Sequence, residues 1–405
     1  MRDADRIVSV RASVGRMPTD VDPDQFIGLS EEAFNWRRQK VANPLTKYPE
    51  FRDNRSAGMG RDARRQVVVE VESASGHVGI GTTNGGIAAA TIVELHLADL
   101  VEGHSAVEHD ALWDRMFGGT LSYGRKGIAL HAISAVDLAI WDLHGKIAGV
   151  PVYALIGGPV TTEIPVYGTG PSALPIRNTG FWGAKLPLTW GPSEGEDGFR
   201  RNVRRAEETR AAVGPDFPLL YDCWMALTVD YAVRLAEAIE PLGFRWLEEP
   251  LQPDDYAGHA ELRRRLPPAM TLNTGEHEYT ARGFRLLCEA GVDVLQPDPG
   301  WCGGLTELRR IAAVAAAFGK RIIPHVGGMF SYHFLAAYPD VTLAEFPMMA
   351  GAGEVIVAQH EPVLRGEALP VGGVVTLGEQ PGFGLTLADD AGLVRPITRD
   401  MVGSA

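Results

Sequence analysis

Several features that mark other protein classes are scarce in this chain of 405 residues. It has only three cysteines, Cys223, Cys288 and Cys302, without CxxC spacing, so neither a disulfide framework nor a zinc site is indicated. No apolar run approaches the roughly 20 residues that a membrane span needs. The first residues, MRDADRIVSVRAS, carry charges where a signal peptide has an apolar core. We therefore expect a cytoplasmic protein with no membrane partner.

Positive charge is also in short supply, with 38 Lys and Arg against 51 Asp and Glu, for a net charge of −13. Nucleic acid is an unexpected partner for such a chain, because binding to its phosphates requires a basic surface. A small anionic substrate is still compatible with it, since a bound divalent cation can reverse the local field.

The sequence does contain a repeat of short apolar runs separated by helical stretches. Eight runs follow one another: IPVYGTG, GFWGAKLPL, LLYDC, FRWLEEP, MTLNTGE, DVLQPD, KRIIPH and VTLAEFP. The stretches between them have the length and period of helices, which parallel strands need as crossovers. The repeat predicts an α/β fold built on a TIM-like (β/α) barrel.

Two further parts are expected around a barrel at residues 161–355. Residues 1–160 combine strand patterns with helical ones and predict an α+β domain, in which residues 14–64 are long loops of the kind that form lids. Residues 356–405 contain Gly/Pro turns and short strands, and we expect them to pack back on the first domain.

Three carboxylates end three successive apolar runs: Asp222, Glu248 and Glu276, spaced 26 and 28 residues apart. The strand ends of a barrel converge on one mouth, so these side chains predict a metal site. Because the ligands are all oxygen, Mg²⁺ is favoured, with Mn²⁺ possible, and zinc is not. Any one acid alone is more often a helix cap or a surface ion pair. Glu249 and Glu278 are alternatives, although Glu249 is better placed to face a basic group.

The next three strand ends carry Asp298, His325 and Glu345. A neutral imidazole accepts a proton near pH 7, and a carboxylate on its other nitrogen fixes the tautomer, so His325 and Asp298 predict an acid/base dyad. The alternative for His325 is a histidine bonded to backbone. Glu345, if protonated, could donate a hydrogen bond to a substrate oxygen, and its alternative is a salt bridge to a loop arginine.

Two more side chains are candidates for contact with substrate. Lys185 lies on the second strand and could hold a substrate carboxylate, while Pro187 occupies the same face two residues on, where a second lysine would be needed for a second base. His277 directly follows Glu276 and could bond a distal substrate hydroxyl.

These motifs together resemble the enolase superfamily, mandelate racemase subgroup. The matching stretches run from about residue 43 to 385 and include GAKLPLTWGP, LEEPLQPDDYAGHAELRR, GEHEYT and QPDPGWCGGLTEL. The resemblance implies a (β/α)7β barrel, an α+β capping domain completed by the C-terminal segment, Mg²⁺ on strands three to five, the Asp298–His325 dyad and Glu345. It also implies that capping-domain arginines, Arg52 or Arg55, reach the substrate, and that the chain forms a homo-oligomer, commonly an octamer.

The function that the resemblance implies is dehydration of an acid sugar (an aldonate) to a 2-keto-3-deoxy acid. His325 would remove the C2 proton and then protonate the departing 3-hydroxyl. A racemase or epimerase is an alternative within the superfamily, and a catalytically silent barrel is one outside it. The chain departs from the family at His325-Val326-Gly327-Gly328, where HGSS or a similar sequence is usual, and this loop can line the substrate site.

Overall fold

The computed structural model describes residues 3–15, 40–53, 62–338, 343–348, 355–360 and 362–402. Within these ranges, no helix is both long enough and apolar enough to cross a membrane.

An antiparallel sheet of three strands forms the N-terminal part, in the order β1 (Ile7–Val14), β2 (Gln66–Ser73) and β3 (Val78–Asn84). The turn between β2 and β3 places Gly76 at φ +80°, a conformation that costs glycine little. These strands agree with the strand patterns expected within residues 1–160.

Helices cover this sheet. They are α1 (Gly86–Ile92), a π-helical turn (Val93–Leu97), α2 (Ala98–Val101), α3 (His109–Thr120) and α4 (Ile128–Ala148). The long helix α4 lies directly on β3, where Gly79 and Gly81 face it. A Cβ at Gly81 would lie 2.0 Å from the Ala135 carbonyl oxygen, so glycine permits the close approach of helix and strand.

Eight parallel strands follow, as the repeat predicts. They are β4 (Glu163–Thr169), β5 (Ala184–Pro187), β6 (Leu219–Asp222), β7 (Phe244–Glu248), β8 (Thr271–Thr274), β9 (Val294–Leu295), β10 (Arg321–Ile322) and β11 (Ala344–Pro347). Each pairs with the next from β4 to β10, and β11 returns to pair with β4, so the predicted barrel topology is confirmed. Among the residues described, β10 and β11 are the two ends of this hydrogen-bonded order.

The seven crossovers contain helices that pack against the strands. The short helix α5 (Val152–Leu155) precedes the first barrel strand. The crossover helices are α6 (Ala173–Asn178), α7 (Gly195–Val213), α8 (Val229–Ile239), α9 (Tyr256–Arg265), α10 (Thr280–Glu289), α11 (Gly304–Ala317) and α12 (Gly328–Ala337). Short 3₁₀ turns occur at Asp3–Asp5, Pro49–Phe51, Asp62–Arg64, Pro192–Glu194 and Glu240–Leu242. Helix α8 begins at an N-cap residue, Thr228, whose side chain accepts a hydrogen bond from the Tyr231 amide.

The C-terminal segment contacts both preceding parts. It contains β12 (Leu364–Arg365), β13 (Val374–Thr376), β14 (Thr386–Leu387) and α13 (Arg399–Val402). Strand β13 pairs with β4 of the barrel, whereas Val394 bridges to Val14 of β1. Two ion pairs, Arg395 with Glu94 (2.7 Å) and Arg399 with Glu102 (2.6 Å), also join the C-terminal segment to the N-terminal part. The bounds predicted for the three parts, 1–160, 161–355 and 356–405, remain a prediction.

Candidate active site

The carboxyl ends of the barrel strands converge on one cavity. Asp222 and Glu248 end β6 and β7 and are register partners, and Glu276 follows two residues after β8. The cavity has a volume of about 560 Å³ and is lined on this side by charged side chains: Lys185, Asp222, Glu276, His325 and Glu345. This volume is in the range of ordinary small-molecule sites.

Burial gives the metal candidates an unusual charge balance. Glu248 is fully buried, and burial raises its pKa to about 8, although the Lys185 ammonium group stabilises the ionised carboxylate and so opposes this rise. Burial likewise raises the pKa of Glu276 to about 7. Both groups also feel the charge of Asp222, so the site holds more carboxylate than the neighbouring basic groups neutralise. A hard divalent cation fits these oxygen donors and this excess of negative charge.

Hydrogen bonds fix Glu248 within this group. Lys185 Nζ donates to its Oε1, and Gln296 Nε2 donates to its Oε2 at 2.6 Å. The Asp222 Oδ1 atom accepts the Trp224 amide at 3.0 Å. Gln296 had no predicted role, although it directly follows β9 and lies two residues before Asp298.

Glu249 and Glu278, the alternative ligands, have basic partners of their own. Glu249 Oε2 lies 2.8 Å from His277 Nδ1, and its Oε1 accepts the His277 amide at 3.1 Å. Glu278 pairs with Lys126 at 2.8 Å. Ligand atoms of Glu249, Glu276 and His277 do lie within 4.8 Å of one another. We favour the predicted triad of Asp222, Glu248 and Glu276 as the metal site, because Asp222 and Glu248 are register partners at neighbouring strand ends and Glu276 follows the end of the next strand.

His325 and Asp298 form the hydrogen bond expected of a dyad. The His325 Nδ1 atom lies 2.8 Å from Asp298 Oδ2, while the Gly300 amide donates to Asp298 Oδ1 at 2.6 Å. With Nδ1–H as the donor, Nε2 points towards Glu276 Oε1, 3.4 Å away. Burial alone would lower the pKa of His325, but Glu276 and Asp298 raise it to about 10.

An aromatic side chain supports the imidazoles of this region. The Trp301 ring lies 5.2 Å from the His325 ring and 5.5 Å from the His277 ring, centroid to centroid, and stacks on His131 of α4 at 5.3 Å. Trp301 therefore limits the movement of the dyad from the side of the capping domain.

Glu345 lies in a polar setting that differs from the apolar one considered for it. Its carboxylate lies 2.8 Å from Lys185 Nζ and accepts hydrogen bonds from Thr169 Oγ1 at 2.5 Å and Tyr167 Oη at 3.1 Å. Although burial alone would raise the pKa of Glu345, Lys185 lowers it to about 2. The ionised form is favoured, so the protonated hydrogen-bond donor expected from the sequence is not the form that these contacts stabilise.

Lys185 and Pro187 both line the cavity, as their strand positions predict. However, the Lys185 ammonium group is 1% exposed and is already held by Glu248 and Glu345. A substrate carboxylate bound to Lys185 would therefore share its positive charge with these two side chains. The sequence could not show this, because both partners come from other strands.

The remaining substrate-contact candidates lie elsewhere. His277 is held by Glu249 beside the cavity, with its Nε2 4.0 Å from Glu276 Oε1. Arg52 donates to the Thr46 carbonyl oxygen at 3.0 Å and lines a separate cavity of about 420 Å³. Arg55 lies outside the described residues.

Backbone strain is concentrated around this mouth. In the described ranges, the non-glycine residues with positive φ all follow site strands: Trp224, Met225, Glu249, Thr280 and Val326. Such conformations cost free energy and cluster at functional sites.

Two family models match the chain. One, described as the mandelate racemase / muconate lactonizing enzyme N-terminal domain, matches residues 51–157, and the other, described as enolase C-terminal domain-like, matches residues 173–391.

Individual relatives agree with these matches. The chain is 48% identical, over 90% of its length and 94% of the relative's, to an L-rhamnonate dehydratase from Saccharopolyspora erythraea. Among solved structures, a rhamnonate dehydratase from Gibberella zeae complexed with Mg superposes with a TM-score of 0.90 at 35% identity, covering 97% of both chains. A racemase from Streptomyces coelicolor with bound magnesium gives 0.76 at 28% identity, covering 94% of this chain and 97% of that one.

Proposed function

Because this chain belongs to the mandelate racemase and muconate lactonizing enzyme family of the enolase superfamily, we propose that it is a Mg²⁺-dependent acid-sugar dehydratase acting on L-rhamnonate. The observation that carries the proposal is the His325–Asp298 dyad, which points into the same cavity as the carboxylates of Asp222 and Glu276. The 48% identity to an L-rhamnonate dehydratase supports the choice of substrate.

Asp222, Glu248 and Glu276 would hold the cation. When bound, Mg²⁺ supplies positive charge that polarises substrate oxygens and offsets the attraction of Glu276 that raises the pKa of His325. The Trp224 amide and Gln296 keep Asp222 and Glu248 in place for this role.

His325 acts as the general base at C2. The hydrogen bond to Asp298 keeps the proton on Nδ1 and leaves Nε2 as the acceptor. The same imidazolium then returns the proton to the departing 3-hydroxyl, so both groups leave from one face. The product enol becomes the 2-keto-3-deoxy acid.

Lys185 and Glu345 form a buried pair that also lines the cavity. Lys185 remains protonated because Glu248 and Glu345 raise its pKa despite complete burial, so it offers positive charge to a substrate oxygen and no free base. Glu345, held ionised by Lys185, accepts a hydrogen bond from a substrate hydroxyl.

A racemase is the second candidate, since a racemase is among the structural neighbours. It would need an acid on the face opposite His325. Pro187 occupies the strand position for such a group, and Lys185 is engaged by two carboxylates. A catalytically silent barrel is disfavoured because the dyad and all three carboxylates are present.

The experiment is a screen of purified protein with Mg²⁺ against a panel of aldonates, read by semicarbazide detection of 2-keto acids. We expect L-rhamnonate to respond best, with L-lyxonate and L-mannonate next, and EDTA to abolish the signal. Exchange of the C2 proton in D₂O without a keto acid would indicate a racemase or epimerase. The absence of both would leave a silent barrel.

Assembly and location remain predictions of the proposal. We expect a homo-oligomer, commonly an octamer, in the cytoplasm. Analytical ultracentrifugation tests the expected oligomer. A mass of 43.7 kDa, that of one chain, would contradict it.

A further inference from the structure

The cavity has a second polar wall that the dehydration steps do not use. It is formed by Gln66 at the start of β2 and by Gln359 and His360, which lie just before β12. The same cavity is also lined by the charged side chains described above, so its lining divides into charged groups and neutral polar groups. A sugar acid has the same division, with one carboxylate and a chain of hydroxyls.

This wall contains buried polar atoms without protein partners. Within the part of the chain that the structure describes, Gln359 Oε1 and Nε2 and His360 Nε2 are buried and make no hydrogen bond. Buried amide and imidazole groups are costly when unsatisfied, and such atoms beside a cavity are candidates for contact with a ligand.

The capping sheet fixes what His360 can offer. Gln66 Nε2 donates to His360 Nδ1 at 2.9 Å, so the ring proton is on Nε2 and that atom is a donor. The His360 backbone amide donates to Glu367 Oε2 at 2.9 Å, which fixes the backbone that carries the ring. Burial lowers the pKa of His360 to about 4, so the imidazole is neutral at pH 7.

Gly328 makes room for the two side chains. A Cβ at this position would lie 3.4 Å from Gln359 Oε1, 3.6 Å from His360 Nε2 and 3.2 Å from Glu367 Oε1, and its φ is +49°. Gly328 belongs to the His325-Val326-Gly327-Gly328 loop, where the chain departs from the usual family sequence. A larger residue at this position would press on Gln359 and His360. The glycine at this point of the loop therefore leaves the space that these two side chains occupy.

Resting on the proposed function, we propose that Gln359 and His360 form a subsite for the hydroxyls of the sugar acid beyond C3, with Gln66 as the residue that positions His360. The subsite presents neutral donors and one acceptor and no cation. A hydroxyl both donates and accepts, so it can satisfy the Gln359 amide and the His360 donor together, whereas a second carboxylate would find no counter-charge. The subsite therefore selects among aldonates by their distal hydroxyls.

The test uses two variants. Gln359→Leu keeps the approximate size of the side chain and removes its polar atoms. Gln66→Leu removes the hydrogen bond to His360 Nδ1, so the ring proton is no longer fixed on Nε2. Gln380→Leu, at an exposed position, is the matched control. The kcat and KM of each are measured with L-rhamnonate, L-mannonate and L-lyxonate, which differ only beyond C4.

For Gln359→Leu we expect kcat/KM for L-rhamnonate to fall about 10-fold or more, mainly through KM, because a site built for a hydroxyl leaves its groups unpaired without it. The ratio of kcat/KM among the three acids should shift in Gln359→Leu and in Gln66→Leu, but stay constant in Gln380→Leu. An equal loss for all three acids, or no loss, would overturn the subsite.

If the wild-type protein dehydrates none of these acids, the proposed function fails, and the subsite is then tested with a neutral polyol. Saturation-transfer NMR with erythritol should show contact with the wild type and Gln380→Leu and none with Gln359→Leu. Identical spectra for the three proteins would overturn the subsite as well.

Discussion

Lys185 is a buried cation between two buried carboxylates, Glu248 and Glu345. Such a group contributes little net stability relative to an apolar packing, but the loss of one member leaves the others with uncompensated charge. The charge balance of the mouth therefore depends on this side chain more than on any surface pair.

We expect Lys185→Met, in the presence of EDTA, to lower the free energy of unfolding by about 3–5 kcal/mol, the cost of breaking a buried pair. Urea titration measures it. The matched control is Arg285→Met, which removes an exposed pair with Glu289 and should cost less than about 1 kcal/mol. Equal losses for the two variants would contradict this account of Lys185.

How far the sequence reveals the site is clear from individual residues. Asp298 and His325 could be found because each ends an apolar run, and the fold brings consecutive strand ends together. The role of Lys185 could not, because Glu248 is 63 residues away and the pairing depends on how the barrel closes. Gln359 and His360 carry no local signal at all, since they precede only a two-residue strand.

Secondary-structure elements were more predictable than these contacts. All eight barrel strands and the intervening helices follow from the spacing of apolar runs, because a parallel sheet requires crossovers of that length. The spacing could not show that Glu276 lies beyond the end of β8, nor that β13 would pair with β4, since antiparallel edge contacts leave no repeat.

Helix α11 begins against a carboxylate from the capping domain. The Asp137 side chain, on α4, accepts the Thr306 amide at 2.9 Å, and the amide belongs to the first turn of α11. The positive end of the helix favours this contact, but burial is the larger effect and raises the pKa of Asp137 to about 7.

The sign of the resulting pH dependence follows from this shift. Asp137 is protonated up to about pH 7 in the folded chain but only up to its ordinary pKa of 3.8 in the unfolded chain. Its contribution to stability is therefore complete below about pH 4 and is lost as the pH rises through 7.

Asp137→Asn removes the titration while keeping an acceptor for Thr306. We expect the free energy of unfolding of the parent, relative to this variant, to decline between pH 4 and pH 7 and to level off above. Urea titrations of both proteins across that range measure the difference. A constant difference would show that Asp137 does not titrate with a raised pKa.

The two parts of the molecule are joined around the cavity. Thr83 Oγ1 donates to the Gly300 carbonyl oxygen at 2.8 Å, Trp113 Nε1 to that of Gly303 at 2.7 Å, and Trp141 Nε1 to Thr306 Oγ1 at 2.9 Å. These bonds fix the capping sheet over the loop that carries Asp298. The charged side chains that line the cavity thus come from the barrel, whereas the capping sheet contributes the neutral polar side chains of Gln66, Thr82 and Asn84.

The central claim for the whole molecule is that one imidazole serves as both base and acid. The direct measurement is proton NMR of L-rhamnonate with His325→Asn and Mg²⁺ in D₂O, which follows C2 exchange and keto-acid formation together. We predict that both are lost, while Mg²⁺ still raises the melting temperature of the variant, because Asp222, Glu248 and Glu276 are intact. Dehydration at a rate close to that of the wild type would contradict the assignment of His325 and require another base.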